Sequence, residues 1–161
     1  MLKVLPVQLF THNTKIHVLN VSNNKLKDLS SDQINSLTNL KAIDFSFNEY
    51  KDIPNDFFQN AKGIKTIDFS NCKINDISTD LLNDLNSLQY VDFSCNKIVN
   101  LSRHLFVEKN FLVDFRNNID TNDLSIIWNL LFDNYTKFSI SSAFFYKYSL
   151  FEPIIAENLG K

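Results

Sequence analysis

Glycine is almost absent from this chain of 161 residues, which contains only Gly63 and Gly160. A loop that cradles phosphate groups needs several closely spaced glycines, so the sequence excludes this class of nucleotide site. The two cysteines are too few for a scaffold built on disulfide bonds. No uncharged apolar run approaches the roughly 20 residues that a membrane-spanning helix requires, so no membrane insertion is expected.

The chain also lacks a strong excess of charge. Sixteen basic and eighteen acidic side chains leave a net charge of −2, which gives no support for nucleic acid or an anionic membrane as the main partner. The first ten residues only superficially resemble a signal peptide, because Pro6 and Gln8 interrupt the apolar run and no cleavage site follows. The expected location therefore stays open: secreted if the chain is part of a longer extracellular protein, and otherwise cytoplasmic.

What the chain does contain is an internal repeat. Four stretches begin at Ile16, Leu40, Ile64 and Leu88, 24 residues apart each time, and each has apolar residues at its positions 1, 4, 6, 11 and 14. Positions 4 and 6 are two residues apart, so they share one face of a short strand. Such a strand cannot bury that face alone, whereas stacked units form a parallel sheet with a continuous core behind it.

The repeated pattern L-x-x-L-x-L-x-x-N/C-x-L resembles that of leucine-rich repeat proteins, in their 24-residue class. The resemblance implies an α/β fold, a right-handed solenoid with a curved parallel sheet on its concave side and short turns or helical segments on its convex side. Phenylalanine at position 6 of three units predicts an aromatic spine within the core. Position 9 carries an amide or a thiol in every unit, and we expect these side chains to form a buried asparagine ladder at the turns after the strands: Asn24, Asn48, Cys72, Asn96 and Asn118.

The expected organisation is a solenoid over residues 1–120 and a C-terminal cap over 121–161. The solenoid comprises a partial repeat at 1–15, full repeats from 16, 40, 64 and 88, and a degenerate last strand within 110–118. The first complete strand, near Ile16, would then have an open edge. Three explanations compete: the chain is a fragment, the edge pairs with a second chain, or residues 1–15 fold over it as a minimal cap.

The C-terminal part no longer follows the repeat. Leu124, Ile127, Trp128, Leu131 and Tyr135 have helical spacing, which predicts a helix that closes the end of the core. Residues 138–151 alternate as a strand does and are rich in aromatic residues. They either complete the cap or form a docking or dimerisation segment, because so much aromatic surface rarely stays exposed.

The concave face is the expected binding surface. Positions 3, 5 and 7 of each strand should point away from the core, and we expect a partner to contact residues there and at position 8 beside it: Tyr90, Asp44, Asp68, Asp92, Asp114, Thr66, Phe47 and Arg116. Tyr90 is the best single anchor, because exposed aromatic residues dominate interface energetics. The aspartates repel one another, and a basic partner or a cation would relieve this repulsion. Asp-Phe-Ser also resembles a stretch that is ordinary in this family.

No arrangement of residues predicts catalysis. His12, His17 and His104 fall in different coils, so neither a metal site nor a cofactor is expected, and no nucleophile with a suitable base occurs at a sensible spacing. The sequence instead favours a non-catalytic module that binds an unidentified protein through its concave face and forms part of a larger recognition receptor. The alternative is a structural element that forms a homodimer through its N-terminal edge or its aromatic C-terminal segment.

Overall fold

The computed structural model describes residues 1–99 and 111–118. The predicted cap over 121–161, its helix and the aromatic segment at 138–151 lie outside the described residues. Within them, five short strands form one parallel sheet in the order of the chain: β1 (Val18–Asn20), β2 (Ala42–Asp44), β3 (Thr66–Asp68), β4 (Tyr90–Asp92) and β5 (Leu112–Asp114). A single turn of 3-10 helix, Ser31–Gln33, lies on the convex side.

The strands pair in the register that the repeat predicts. Ile43 of β2 lies beside Leu19 of β1 and Ile67 of β3, so equivalent positions stack along the solenoid. The same register continues into β5, where Val113 lies beside Val91, although this last step is 22 residues long and the others are 24. The predicted leucine-rich repeat solenoid is confirmed.

The core lies between the sheet and the convex segments. The side chains at positions 4 and 6 of the repeats are buried, except that of Phe115, which is partly buried. The convex anchors at positions 18, 19 and 22 are also buried, including Phe57, Phe58, Leu81 and Leu82. The rings of Phe69 and Phe93 stack with centroids 6.2 Å apart, and those of Phe93 and Phe115 with centroids 5.6 Å apart. These contacts form the aromatic spine and leave the opposite face of the sheet free of core residues.

Residues of the 1–15 segment contact the first full repeat. Leu2 accepts a backbone hydrogen bond from Lys25, and Leu5 is buried while its carbonyl accepts a hydrogen bond of 2.8 Å from the side chain of Gln33. Residues 1–15 contribute no strand beside β1, which is therefore the edge strand of the described part of the sheet. Val18 of this edge is 66% exposed.

Candidate functional site

Each strand ends in a turn that asparagine side chains hold from inside. The Asn48 amide donates to the carbonyls of Phe45 and Ser46 in its own turn, and to that of Val21 in the preceding one, at 3.0 to 3.2 Å. Its Oδ1 accepts from the backbone N–H of Leu26 at 3.0 Å. Equivalent bonds connect Asn24, Asn96 and Asn118 to their neighbouring coils. Asn24 is only half-buried and its bond to Leu2 is exposed, which differs from the predicted burial. The backbone groups bonded by Asn48, Asn96 and Asn118 lie largely away from water, so these asparagines provide partners that the groups would otherwise lack.

Cys72 occupies the same position with fewer bonds. Its thiol donates to the carbonyl of Phe45 at 3.4 Å, which corresponds to the bond from Asn48 to Val21. Burial raises the pKa of the Cys72 thiol to about 11, so the S–H group stays protonated at neutral pH and remains a donor. Cys72 and Cys95 are both free thiols.

The residue just before each of these positions has a left-handed backbone, a feature that sequence reasoning missed. The φ angles at position 8 lie between 53° and 60°, at Asn23, Phe47, Asn71, Cys95 and Asn117. Asparagine tolerates this conformation, whereas a bulky aromatic residue rarely adopts it. The asparagines at three of these five positions were the one sequence signal that could have predicted the left-handed conformation. Phe47 is therefore held in a strained conformation while its side chain is 52% exposed.

The aspartates at position 5 have a structural role on the concave face. One oxygen of each accepts the backbone N–H two residues later, as in the bonds from Ser46 to Asp44, from Ser70 to Asp68 and from Ser94 to Asp92, at 2.8 to 3.0 Å. Asn20 makes the same bond with Ser22 at 3.0 Å. The carboxylates thus close the turn after each strand. Of the serines at position 7, Ser46, Ser70 and Ser94 are buried and offer a partner little surface.

The second oxygen distinguishes the aspartates from one another. That of Asp44 accepts from the Asn20 amide at 2.8 Å, and that of Asp92 accepts from the Tyr90 hydroxyl at 3.1 Å. Asp114 is only 7% exposed and is held by Arg116, whose Nε lies 2.8 Å from its Oδ2. Asp114 and Arg116, which were both expected to contact a partner, are thus already bonded to each other. Asp68 alone in this row accepts no bond at its outer oxygen from residues 1–99 or 111–118.

Asp68 also carries an unfavourable charge. Its pKa is raised, first because the carboxyl is partly buried and then because Asp92 and Asp44 repel its negative form. The Tyr90 pKa is raised to about 12 by partial burial and by the Asp92 carboxylate, so this hydroxyl remains a donor. The electrostatics at Asp68 therefore favour a cation that would approach from solvent.

The remaining candidates surround Asp68. Thr66 is half-buried two residues earlier on β3, and Tyr90 is 36% exposed on β4, directly beside Thr66. Phe47 lies beyond the end of β2, on the other side of Asp68. Two exposed aromatic residues, Tyr90 on the concave face and Phe47 beside it, thus flank the Asp68 carboxylate. This combination suits the binding of a polypeptide better than it suits catalysis.

Other classes of site find no support in the described residues. Between residues 1 and 99 and between 111 and 118, no group of three or more His, Cys, Asp or Glu side chains could hold a metal ion. In the same part of the chain, no helix has the length and the apolar character needed to cross a membrane.

Three solved structures illustrate the similarity of the fold. The leucine-rich repeat domain of APL1B superposes with a TM-score of 0.68 at 19% identity, covering 73% of this chain and 35% of that one. The Toll–Spatzle complex of Drosophila gives 0.67 at 23% identity, with coverages of 81% and 18%, and the LRIM1/APL1C complex gives 0.65 at 20%, with coverages of 70% and 21%. The chain therefore spans about a third or less of these structures. No curated protein matches it significantly.

The sequence itself matches a family model. The model described as "Leucine rich repeat" matches residues 14–74 and again 38–98, which together exceed half of the chain. Domains of this kind generally serve protein interaction and are generally non-enzymatic. Together with the five-stranded parallel sheet and the asparagine turns, this match shows that the chain belongs to the leucine-rich repeat family.

Proposed function

We propose that this protein is a non-catalytic binding module that holds a protein partner on its concave face. The observation that carries the proposal is Tyr90, whose ring is 36% exposed on the sheet while its hydroxyl is fixed to Asp92. A ring that is already oriented loses little conformational entropy on binding, so more of its contact energy contributes to affinity.

The rest of the face supports rigid presentation. Its strands are joined by parallel pairing in one continuous register, and each of its four aspartates accepts a backbone hydrogen bond within its own turn. Binding therefore requires little rearrangement of the module. The Toll–Spatzle and LRIM1/APL1C structures are named as complexes, which supports a protein as the class of partner and a part in a larger recognition receptor as the setting.

The test compares three versions of the full chain as baits: the wild type, Tyr90→Ala, and Val99→Ala as the matched control. Val99 is also apolar and 52% exposed, but it lies outside the strands. Quantitative mass spectrometry should recover partner proteins with the wild type and with Val99→Ala, and lose them with Tyr90→Ala. Equal recovery of every captured protein with all three baits would contradict binding at the concave face.

The N-terminal end supports a second candidate function, self-association. Apolar side chains there are about half exposed or more, five within residues 1–15 and one on the edge strand β1: Met1, Leu2, Val4, Val7, Leu9 and Val18. An apolar surface beside an unpaired strand edge favours association with a second copy. Analytical ultracentrifugation at two micromolar concentrations tests this, because the fraction of the chain present as dimer should rise with concentration. A monomer at both would reject self-association.

A further inference from the structure

Three accessible features on or beside the concave face lie on one diagonal. Tyr90 is at position 3 on β4, Asp68 is at position 5 on β3, and Phe47 is at position 8 just after β2. With strands about 4.8 Å apart and a rise of about 3.3 Å per residue, the diagonal is about 20 Å long. An extended segment of about six residues covers that distance.

Among the four aspartates of this face, Asp68 is the one whose outer oxygen accepts no hydrogen bond from the described residues. Asp44, Asp92 and Asp114 each receive a second donor at the outer oxygen, from Asn20, Tyr90 and Arg116. In the described residues, Asp68 forms hydrogen bonds only with Ser70 of its own turn, through that residue's backbone N–H at Oδ1 and its hydroxyl. Its outer oxygen, beside the half-buried Thr66, is therefore open to a donor supplied by a partner. A charged donor forms the stronger hydrogen bond and also relieves the repulsion along the row.

The aromatic rings supply an independent observation. Phe47 is exposed although its left-handed backbone disfavours an aromatic residue, and Tyr90 is exposed on the other side of Asp68. Two exposed rings on either side of an open carboxylate fit a segment with apolar side chains on either side of a cationic one. A partner would thus need apolar side chains as well as a positive charge to match this surface.

We infer that the module recognises an extended basic segment of its partner, in which a Lys or Arg side chain bonds Asp68 and apolar residues two or three positions away contact Tyr90 and Phe47. This inference rests on the proposed function and adds the chemistry of the partner. It also assigns distinct contributions to the three residues: Asp68 selects the charge, whereas the two rings supply apolar contact area.

A phage library of random 12-residue peptides, selected on the immobilised full chain, tests this inference without a known partner. The enriched peptides should share a Lys or Arg between apolar residues. The most enriched one is then synthesised with a fluorescent label, and its Kd is measured by anisotropy. Asp68→Asn should weaken binding at least about 10-fold, whereas Asp28→Asn, which removes an exposed charge away from the sheet, should leave Kd unchanged within about 2-fold.

Asp68→Asn should fold normally, because Asn20 makes the same turn bond at the equivalent position. Each outcome decides something different. Selected peptides that lose affinity with Tyr90→Ala but contain no basic residue, or that bind Asp68→Asn as tightly as the wild type, would overturn the charge recognition and leave the concave surface intact. Peptides insensitive to both substitutions, or no enrichment at all, would overturn the inference and count against the proposed function.

Discussion

The turns that follow β2 and β3 have the same backbone conformation, but each contains one residue that departs from the repeat. The unusual residue is at position 8 after β2 and at position 9 after β3. After β2, Asn48 gives the turn its full set of internal hydrogen bonds, while Phe47 stands in a left-handed conformation that suits asparagine. After β3, Asn71 stands at the left-handed position and Cys72 provides a single weaker donor inside. The stacked coils thus impose the turn even where one residue fits it poorly.

The two departures differ in what surrounds them. Cys72 is buried among backbone groups, so replacing asparagine there affects only the stability of the fold. Phe47 points toward solvent beside the concave face, so its cost in stability is accompanied by a new exposed ring. Strained residues that persist on a surface are found preferentially at binding sites. Exchanging residues between the two turns separates these effects.

The largest effect is expected from Asn48→Leu. The substitution leaves the buried N–H of Leu26 without its acceptor, at a cost of about 1 to 3 kcal/mol. It also removes one of the two side-chain donors of the Val21 and Phe45 carbonyls, which keep those from Asn24 and Cys72. Urea unfolding monitored by circular dichroism measures this loss. Asn75→Leu, the same change at an exposed position, should alter stability by less than about 0.5 kcal/mol. Equal stabilities of the two variants would show that the asparagine ladder does not support the turns.

Cys72→Asn should have the opposite sign and a smaller size. An amide at this position can donate to the carbonyls of Phe45, Phe69 and Ser70, as Asn48 and Asn96 do in their own turns. We expect a gain of about 1 kcal/mol in the free energy of unfolding. Cys72→Ala, which removes the donor, serves as the reference. If Cys72→Asn were no more stable than Cys72→Ala, the two turns would not be equivalent inside.

Phe47→Asn should stabilise the chain while it weakens binding. Relief of the left-handed phenylalanine is worth about 1 kcal/mol, since Asn71 adopts the same φ of 53° in the next turn. The selected basic peptide should bind this variant less tightly. Asn71→Phe is the reciprocal control and should lose a similar amount of stability. A less stable Phe47→Asn would mean that the ring contributes packing that outweighs its strain.

The smallest effect concerns the pH dependence of Asp68→Asn. The raised pKa of Asp68 means that its charged form opposes folding. Its favourable contribution is complete below the unfolded value of 3.8 and is lost as the pH rises through the folded pKa. Asp68→Asn should therefore be more stable than the wild type at pH 7, by less than about 1 kcal/mol because solvent screens this partly exposed group. Denaturation at pH 7 and pH 3.5 should show that advantage shrinking in acid; a constant difference would contradict it.

The sequence was sufficient to predict the solenoid because its register is visible in the spacing. Ile43 and Phe45 identify the buried face of β2, and the same offsets identify every later strand. The position-9 residues could be placed inside the turns for the same reason. The 22-residue step to β5 kept the register because Val113 and Phe115 kept their spacing.

The site was less predictable because it depends on contacts between coils. The aspartates look alike in sequence, yet Asp44 and Asp92 receive a second donor from Asn20 and Tyr90, and Asp68 does not. Whether a donor is present depends on which side chains the stacking brings beside each carboxylate. The left-handed φ at Phe47 was also hidden, because a turn conformation shared by all coils is visible only once the backbone is built.

The most direct test of the account is a crystal structure of the full chain with the selected peptide. We predict that the peptide crosses the concave face from β4 to β2. A Lys or Arg nitrogen of the peptide should lie within hydrogen-bonding distance of the Asp68 carboxylate, with apolar side chains against Tyr90 and Phe47. A peptide seated on the convex side, or paired with the edge of β1, would contradict it.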